Sequence, residues 1–440
     1  MSMHSIRRAL LIIPLLLGIL AGCQETTAPA SYPKLQFAQG DNGIWTVNTL
    51  DDHSDNSCDD TDCTLREAVF FAGSGGTIRF DASFAGQTMV LSSAIVLPDQ
   101  DFSIVGPDDG ITISGNNSTA LFYAPSSGSI ELRNLTLTGA DGGVVGTGHG
   151  AAIINGGADL RITHTTIANN LGVGLYQVGG STFSLNNTIS GNGDGIAFSG
   201  GDAEFEHTTI VNNTGAGIEY LGGLSLYNTV IANNGVDCDP APGSQPDFIE
   251  GVNLDSDGTC LLRSGVDLIG QDPALGPLAD NGGPNYTHAV PFGSVVDDAA
   301  GCFWNLDQRY VSRPQGASCE IGAYERIPVS VALAMGASGT VNPNDGSVTV
   351  TGTLTCTSAL AVDLDITVTQ YQMVRRVRVP ITSTTTVTVG CNGAANWSAT
   401  VAPPSAHSFV NGSALVSAVA ANSDNAGQAS RTVKLFWAKK

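Results

Sequence analysis

From residue 160 to residue 240 apolar and polar positions alternate in short bursts that return at a fixed interval. Ile167, Ile189, Ile210 and Ile231 step by 22, 21 and 21, and each is followed by an asparagine at Asn170, Asn192, Asn213 and Asn234. A second burst keeps the same beat at Leu175, Ile196 and Ile218, each just after a Gly-x-Gly, and a third falls near Phe183, Phe205 and Leu224. Looser copies precede them at Ile111–Asn116 and Leu135–Gly139. Period-two alternation over three to five residues predicts strands. A unit of about 21 residues holds three such strands and is too short for a propeller blade. The prediction is an all-β chain built on a parallel β-helix, with three strands per coil and coils stacked about 4.8 Å apart. Isoleucine, leucine and phenylalanine point inward. The recurring asparagines form a turn ladder, because Asn tolerates the left-handed backbone and its amide bonds neighbouring coils. Tyr176, Phe198 and Tyr220 also share the period, and alternation turns Tyr176 outward but Phe198 and Tyr220 inward.

An open β-helix end exposes strand edges. The stretch Cys63-Thr-Leu-Arg-Glu-Ala-Val69 reads as a helical plug, with Leu65, Ala68 and Val69 on the first coil and Arg66 and Glu67 outside. After residue 326 the asparagine repeat stops. Long Thr/Val/Ala alternations follow at 347–351, 364–369, 384–389 and 414–419. They predict a small immunoglobulin-like β-sandwich over 327–440. There Arg376 and Arg378 fall on one face of a strand, a candidate contact for anionic glycans or lipid headgroups; the alternative is an edge strand protected by charge.

Composition narrows the function. The 440 residues carry 54 Gly and a formal charge of −22, with 42% apolar residues, enough for a real core. Residues 24–326 hold −27 of that charge and the tail +3. Such an excess of acid excludes the nucleic-acid backbone as the main partner.

Residues 1–22 read as an export signal, with Arg7 and Arg8 before an apolar run too short to span a membrane. It ends in Leu20-Ala-Gly-Cys23, which resembles the lipobox of bacterial lipoproteins. The resemblance implies acylation at Cys23, a short anchor and linker over 23–44, and a membrane partner; Gln24 implies sorting to the outer membrane. Removing Cys23 leaves eight cysteines, expected to pair in sequence order as Cys58/Cys63, Cys238/Cys260, Cys302/Cys319 and Cys356/Cys391.

The segment Asp51-Asp52…Cys58…Cys63-Thr-Leu-Arg-Glu-Ala-Val69 resembles the CSLREA-type N-terminal motif of exported bacterial β-helix proteins, with Thr64 in place of serine. Residues 253–260, 272–278, 280–284, Thr287-His288, Asp307-Gln-Arg309, Arg313-Pro314 and Cys319–Glu325 are similar to the choice-of-anchor Q domain, also described as polymorphic-outer-membrane-protein-like. Together the resemblance covers about 45–326. It implies a right-handed parallel β-helix of the pectin lyase-like kind at the bacterial cell surface, and no defined activity. Tyr310-Val-Ser312 and Val295–Ala299 depart from the family pattern in loops.

Four sets of residues carry candidate chemistry. Asp51, Asp52, Asp55, Asp59, Asp60 and Asp62 crowd twelve residues, and Asp255 and Asp257 form a second oxygen-rich turn; calcium is the candidate cofactor, and a solvated acidic loop is the plain alternative. Gly148-His149-Gly150 with Asp194 and Asp202 is the weak candidate for an inverting glycosidase. Lyase chemistry needs a basic residue near a neutralised uronate, and residues 24–326 offer Lys34 and eight arginines, most of them scattered. Arg309, Arg313 and Glu325 read as an end-cap ion-pair cluster. The expected function is therefore surface-exposed, lipid-anchored binding or adhesion, directed at polysaccharide or a surface protein. A carbohydrate-active lyase or glycosidase is the first alternative and an architectural envelope protein the second.

Overall fold

The computed structural model describes residues 43–125, 127–141, 150–357, 360–420 and 427–438. Three parallel sheets of nine, nine and seven strands wrap one core. A single coil shows the rule: Ser181–Leu185 lies in the first sheet, Thr188–Ser190 in the second and Ile196–Phe198 in the third. The next coil repeats it with Asp202–Glu206, Thr209–Val211 and Ala216–Tyr220. Register is kept by stacking like on like. Leu137, Ile167, Ile189, Ile210 and Ile231 pair in one inward column of the second sheet, and Phe122, Ile153, Leu175, Ile196 and Ile218 in one of the third. All ten are essentially inaccessible. Each such side chain contributes about 1.5–3 kcal/mol by leaving water. Tyr176 faces outward against Ala197, while Phe198 and Tyr220 are buried in the neighbouring column, as alternation required.

The asparagine ladder is present. The Nδ2 of Asn170 donates to Asn192 Oδ1 at 2.8 Å, Asn192 to Asn213 at 3.0 Å, and Asn213 to Asn234 at 2.9 Å. Asn234 donates in turn to Asp237 at 2.9 Å. The amides thus point one way and end on a carboxylate, an acceptor that needs no further partner below it. One detail of the expectation changes. The left-handed residue of each turn is the one before the ladder, at Asn169, Gly191, Asn212 and Asn233. That leaves the ladder residue free to turn its amide into the core.

The N-terminal plug is the helix Leu65–Phe71. Leu65, Ala68 and Val69 are buried as expected, but Glu67 is buried too, at 1% exposure. The reason is a capping box. Thr64 Oγ1 accepts from the Glu67 N–H at 3.2 Å, and Glu67 Oε2 accepts from the Thr64 N–H at 3.0 Å. Its other oxygen takes the N–H of Asp55, so the carboxylate fastens the acidic loop to the helix. Arg66 stays at the surface, paired with Asp52 at 2.9 Å.

Leu268–Ile269 adds the last strand of the second sheet, but the segment from about 270 to 326 does not close the far end. It runs back along the side of the helix and straps the coils. Asn285 bonds Thr136 and the carbonyl of His164. Gln308 bonds Thr166 and Thr188. His288 meets Ser190 at 2.8 Å, and Thr209 accepts from the N–H of Ala323. The outward threonines of the second sheet are therefore its docking rail. The Arg309, Arg313 and Glu325 cluster consequently lies on the flank and not in an end cap. Gly110, with φ of +71°, is obligatory at one crossing, since a Cβ there would overlap the carbonyl of Pro284.

The last seven strands, from Val331 to Trp437, form one mixed sheet around a separate core that includes Leu354, Leu364, Ile366, Trp397, Val416 and Leu435. Crossing the sheet from one edge to the other meets them in the order fourth, third, sixth, seventh, first, second, fifth along the chain. The first strand pairs antiparallel with the second and, beyond a bulge, parallel with the last, which joins the two halves of the sandwich. Arg375 and Arg376 form the tip of the hairpin between Leu360–Val374 and Val377–Cys391, both with positive φ. The expected shared strand face of Arg376 and Arg378 is thus absent: Arg376 is a turn residue, and Arg378 lies over the Tyr371 ring at 4.5 Å. All four sequential disulfides are formed.

Candidate functional site

Cys23 and His149 lie outside the described residues. Asp194 and Asp202 stand at opposite ends of the 196–198 strand, on different corners of the coil. Asp194 accepts the N–H of Ala216 at 2.7 Å, a turn-stabilising role.

The acidic loop is spread among several partners. Asp52 pairs with Arg66 and also accepts from Ser92 at 2.6 Å. Asp59 caps the turn at Thr61, and Asp62 meets His53 at 3.1 Å. Asp55 accepts from Ser57, while Asp51 and Asp60 are exposed. His53, Asp55 and Glu67 can each bring one ligand atom within 4.8 Å of the others, and so can Asp237, Asp255 and Asp257. The second set sits where the β-helix core ends. Asp255 continues the isoleucine column below Ile231. Its oxygens accept from Gly258 at 2.9 Å and Cys260 at 2.8 Å, while Asp237 accepts from the N–H and hydroxyl of Ser256. The carboxylates already cap the last turn, and a calcium ion there would have to share their oxygens with these donors. Sequence reasoning singled out Asp255 and Asp257 but not Asp237.

Burial raises the Asp255 carboxyl to about 6, with a proton shared towards Asp257 and the Asp237 charge adding to the effect. The folded state then holds an extra proton between about pH 4 and 6, so this group's stabilisation is present at the low end and lost as pH rises to 6. We expect the stability difference between wild type and Asp255→Asn to shrink across that window. Urea melts at pH 4, 5 and 6 check it, and a difference that grows with pH contradicts it.

The outward face of the first sheet assembles groups that the sequence leaves scattered. Glu131, Arg161, Phe183, Glu204 and Ser225 are neighbours in one column. Arg79, Val105, Arg133, Thr163, Leu185 and Glu206 follow each other in the next. Arg161 lies 4.5 Å over the Phe183 ring and 4.0 Å from Glu131. The strap completes the face. Trp304 Nε1 donates to Glu206, Leu306 accepts from Asn186 at 2.9 Å, and Tyr310 stacks on His164 at 4.3 Å. The electrostatics are perturbed throughout. Burial raises Glu206, against the pull of Trp304, its bonded partner Glu204 and Arg161. Burial also takes the His164 imidazole down to about 4, helped by Arg133, Arg161 and Arg313, so it is neutral at physiological pH. Clustered perturbed groups mark a candidate site. Their sequence signal was the coil period: Arg161, Phe183, Glu204 and Ser225 step by 22, 21 and 21, as the isoleucines do.

Clefts open on the helix among the described residues, and two bear on the sheet faces. One of about 580 Å³ adjoins this face and is lined by Arg79, Val105, Asp108, Arg133, Asn134 and Tyr310. The other, about 380 Å³, lies on the third sheet between Tyr176, Glu219, Leu221, Asp239 and Pro240.

The family model for a right-handed beta helix region matches residues 109–263, which are the coils carrying most of this face. No curated protein matches the chain.

Proposed function

We propose that this is a lipid-anchored bacterial surface protein that binds polysaccharide along the outward face of the first sheet. A β-helix of this kind often binds or acts on polysaccharides, which supports that ligand class. The observation that carries the reading is the strip in which Arg161, Phe183, Glu204, Glu206 and Trp304 lie side by side. Aromatic rings offer flat apolar area to sugar faces, and the charged groups beside them offer hydrogen bonds to hydroxyls. Binding is favoured over glycoside hydrolysis by distance. Glu204 and Glu206 hydrogen-bond each other, whereas retaining and inverting glycosidases hold their carboxyls about 5 Å and 6.5–9.5 Å apart. The anchor rests on the Leu20–Cys23 motif.

The test is affinity electrophoresis of the mature chain through gels containing a polysaccharide panel, with product sizing of the polymer afterwards. Retarded migration with intact polymer is expected. Phe183→Ala should weaken retention about tenfold, the equivalent of 1.4 kcal/mol. Shortened polymer would replace binding by catalysis. Free migration in every gel would leave a protein partner or an architectural role.

A further inference from the structure

Residues 45–326 contain eight arginines. Six are held by carboxylates: Arg66 by Asp52, Arg161 by Glu131, Arg263 by Asp267, Arg309 by Asp307, Arg313 by Glu325 and Arg326 by Asp297. Arg79 and Arg133 have no carboxylate partner among the described residues, and both line the 580 Å³ cleft. In an acidic segment where carboxylates outnumber cations about four to one, two unneutralised guanidiniums in one cleft need an explanation.

We infer that this cleft is a subsite for an anionic group of the bound polysaccharide, a uronate carboxylate or a sulfate ester. The fold fixes both cations. Arg79 and Arg133 occupy the same outward column with Val105 between them. Their strands therefore stand about 10 Å apart, two strand spacings. Arg133 is partly withdrawn from water, and its Nε is buried without a hydrogen-bond partner. A guanidinium presents a rigid fork of donors matched to a planar or tetrahedral oxyanion. The partial withdrawal of Arg133 from water strengthens its attraction for an oxyanion that reaches the exposed edge of the fork. The neighbouring groups do not supply the missing charge. Glu131 is held by Arg161 in the adjoining column, and the Tyr310 hydroxyl is spent on Asn134 Oδ1 at 2.5 Å. Asp108 lies exposed on the rim, beyond ion-pair distance of either arginine. The acidic remainder of the surface does not forbid the contact. At physiological ionic strength charges more than about 8 Å away are largely screened, so the local pair decides.

This inference rests on the polysaccharide-binding reading and extends it to ligand charge. Wild type, Arg79→Gln/Arg133→Gln and Arg133→Lys are run through gels of polygalacturonate, a sulfated dextran and neutral dextran. EDTA is present to remove calcium bridging, and thermal melts confirm that each variant is folded. Wild type is expected to be retarded by one or both anionic polymers more than by the neutral one, the stronger of the two identifying carboxylate or sulfate. The double variant should lose about a hundredfold or more in retention at an unchanged melting temperature, each charge-assisted bond accounting for a tenfold share or more. Arg133→Lys should recover part of the loss. Equal retention of wild type and double variant overturns the subsite. If retention is equal in all three polymers and is lost in Phe183→Ala, the subsite falls while polysaccharide binding stands. No retention of wild type by any polymer removes both.

Discussion

Replacing Arg313 by methionine should cost about 3–5 kcal/mol of folding free energy, the usual penalty for leaving one member of a buried ion pair alone. Arg313 and Glu325 meet at 3.1 Å with both side chains inaccessible to water. Arg313 also donates to the carbonyls of Glu320 at 3.0 Å and Gly322 at 2.8 Å. Beside it Arg309 donates to Asp307 at 2.8 Å and lies over the Tyr324 ring. Glu320 completes the group, and burial together with Glu325 holds its carboxyl far above the usual range, so it carries no charge at neutral pH. Arg313 and Glu325 therefore neutralise each other with no spare cation nearby. The companion variants separate charge from packing. Arg313→Met/Glu325→Gln should recover a good part of the loss, and Glu320→Gln should be close to silent at pH 7. Chemical denaturation of all three provides the check, and a loss below about 1 kcal/mol for Arg313→Met would show the pair to be dispensable.

The second large effect belongs to the asparagine ladder. Asn192→Ala removes the acceptor for both the N–H of Asn170 at 3.1 Å and its Nδ2 at 2.8 Å. It also removes the donors to Ile167 O at 3.1 Å and Asn213 Oδ1 at 3.0 Å. Asn192 is buried, at 1% exposure, so no water replaces them. Two stranded donors at about 1–3 kcal/mol each give a loss of about 3 kcal/mol or more. The control is one residue before another rung: Asn169→Gly keeps the left-handed turn that Asn169 adopts, with φ of 57°, and should change little. Comparable melts for the two variants would place the ladder's contribution in turn conformation and not in its amides.

The contrast between those two sites shows what the sequence makes legible. The coil period, the inward isoleucines, the ladder and the four disulfides are local or strictly periodic, and periodicity survives translation into a stack. The strap is different. Thr136, Thr166, Thr188 and Thr209 look like solvent-facing strand residues, and nothing in their spacing shows that Asn285, Gln308 and Ala323 arrive from more than a hundred residues away. The same long-range return brings Trp304 and Tyr310 to the first-sheet face. Half of the candidate site was therefore visible only as a period, in Arg161, Phe183 and Glu204, and the other half only in the fold. Glu67 fails for a local reason: helical amphipathicity put it outside, but a capping box requires its carboxylate to turn back on the helix start.

Ladder and strap place opposite demands on the molecule's length. The ladder is indifferent to copy number, because any coil with an asparagine at the turn accepts from the one above and donates to the one below. The strap counts. It grips Asn134 through Tyr310, Asn186 through Leu306 and Asn228 through Gly301, three levels of the same corner. Duplicating one coil between those levels would displace the next grip by about 4.8 Å, further than a hydrogen bond stretches. A chain that could grow or shrink by recombination between near-identical repeats is thereby held to one gauge, with its own C-terminal return as the ruler.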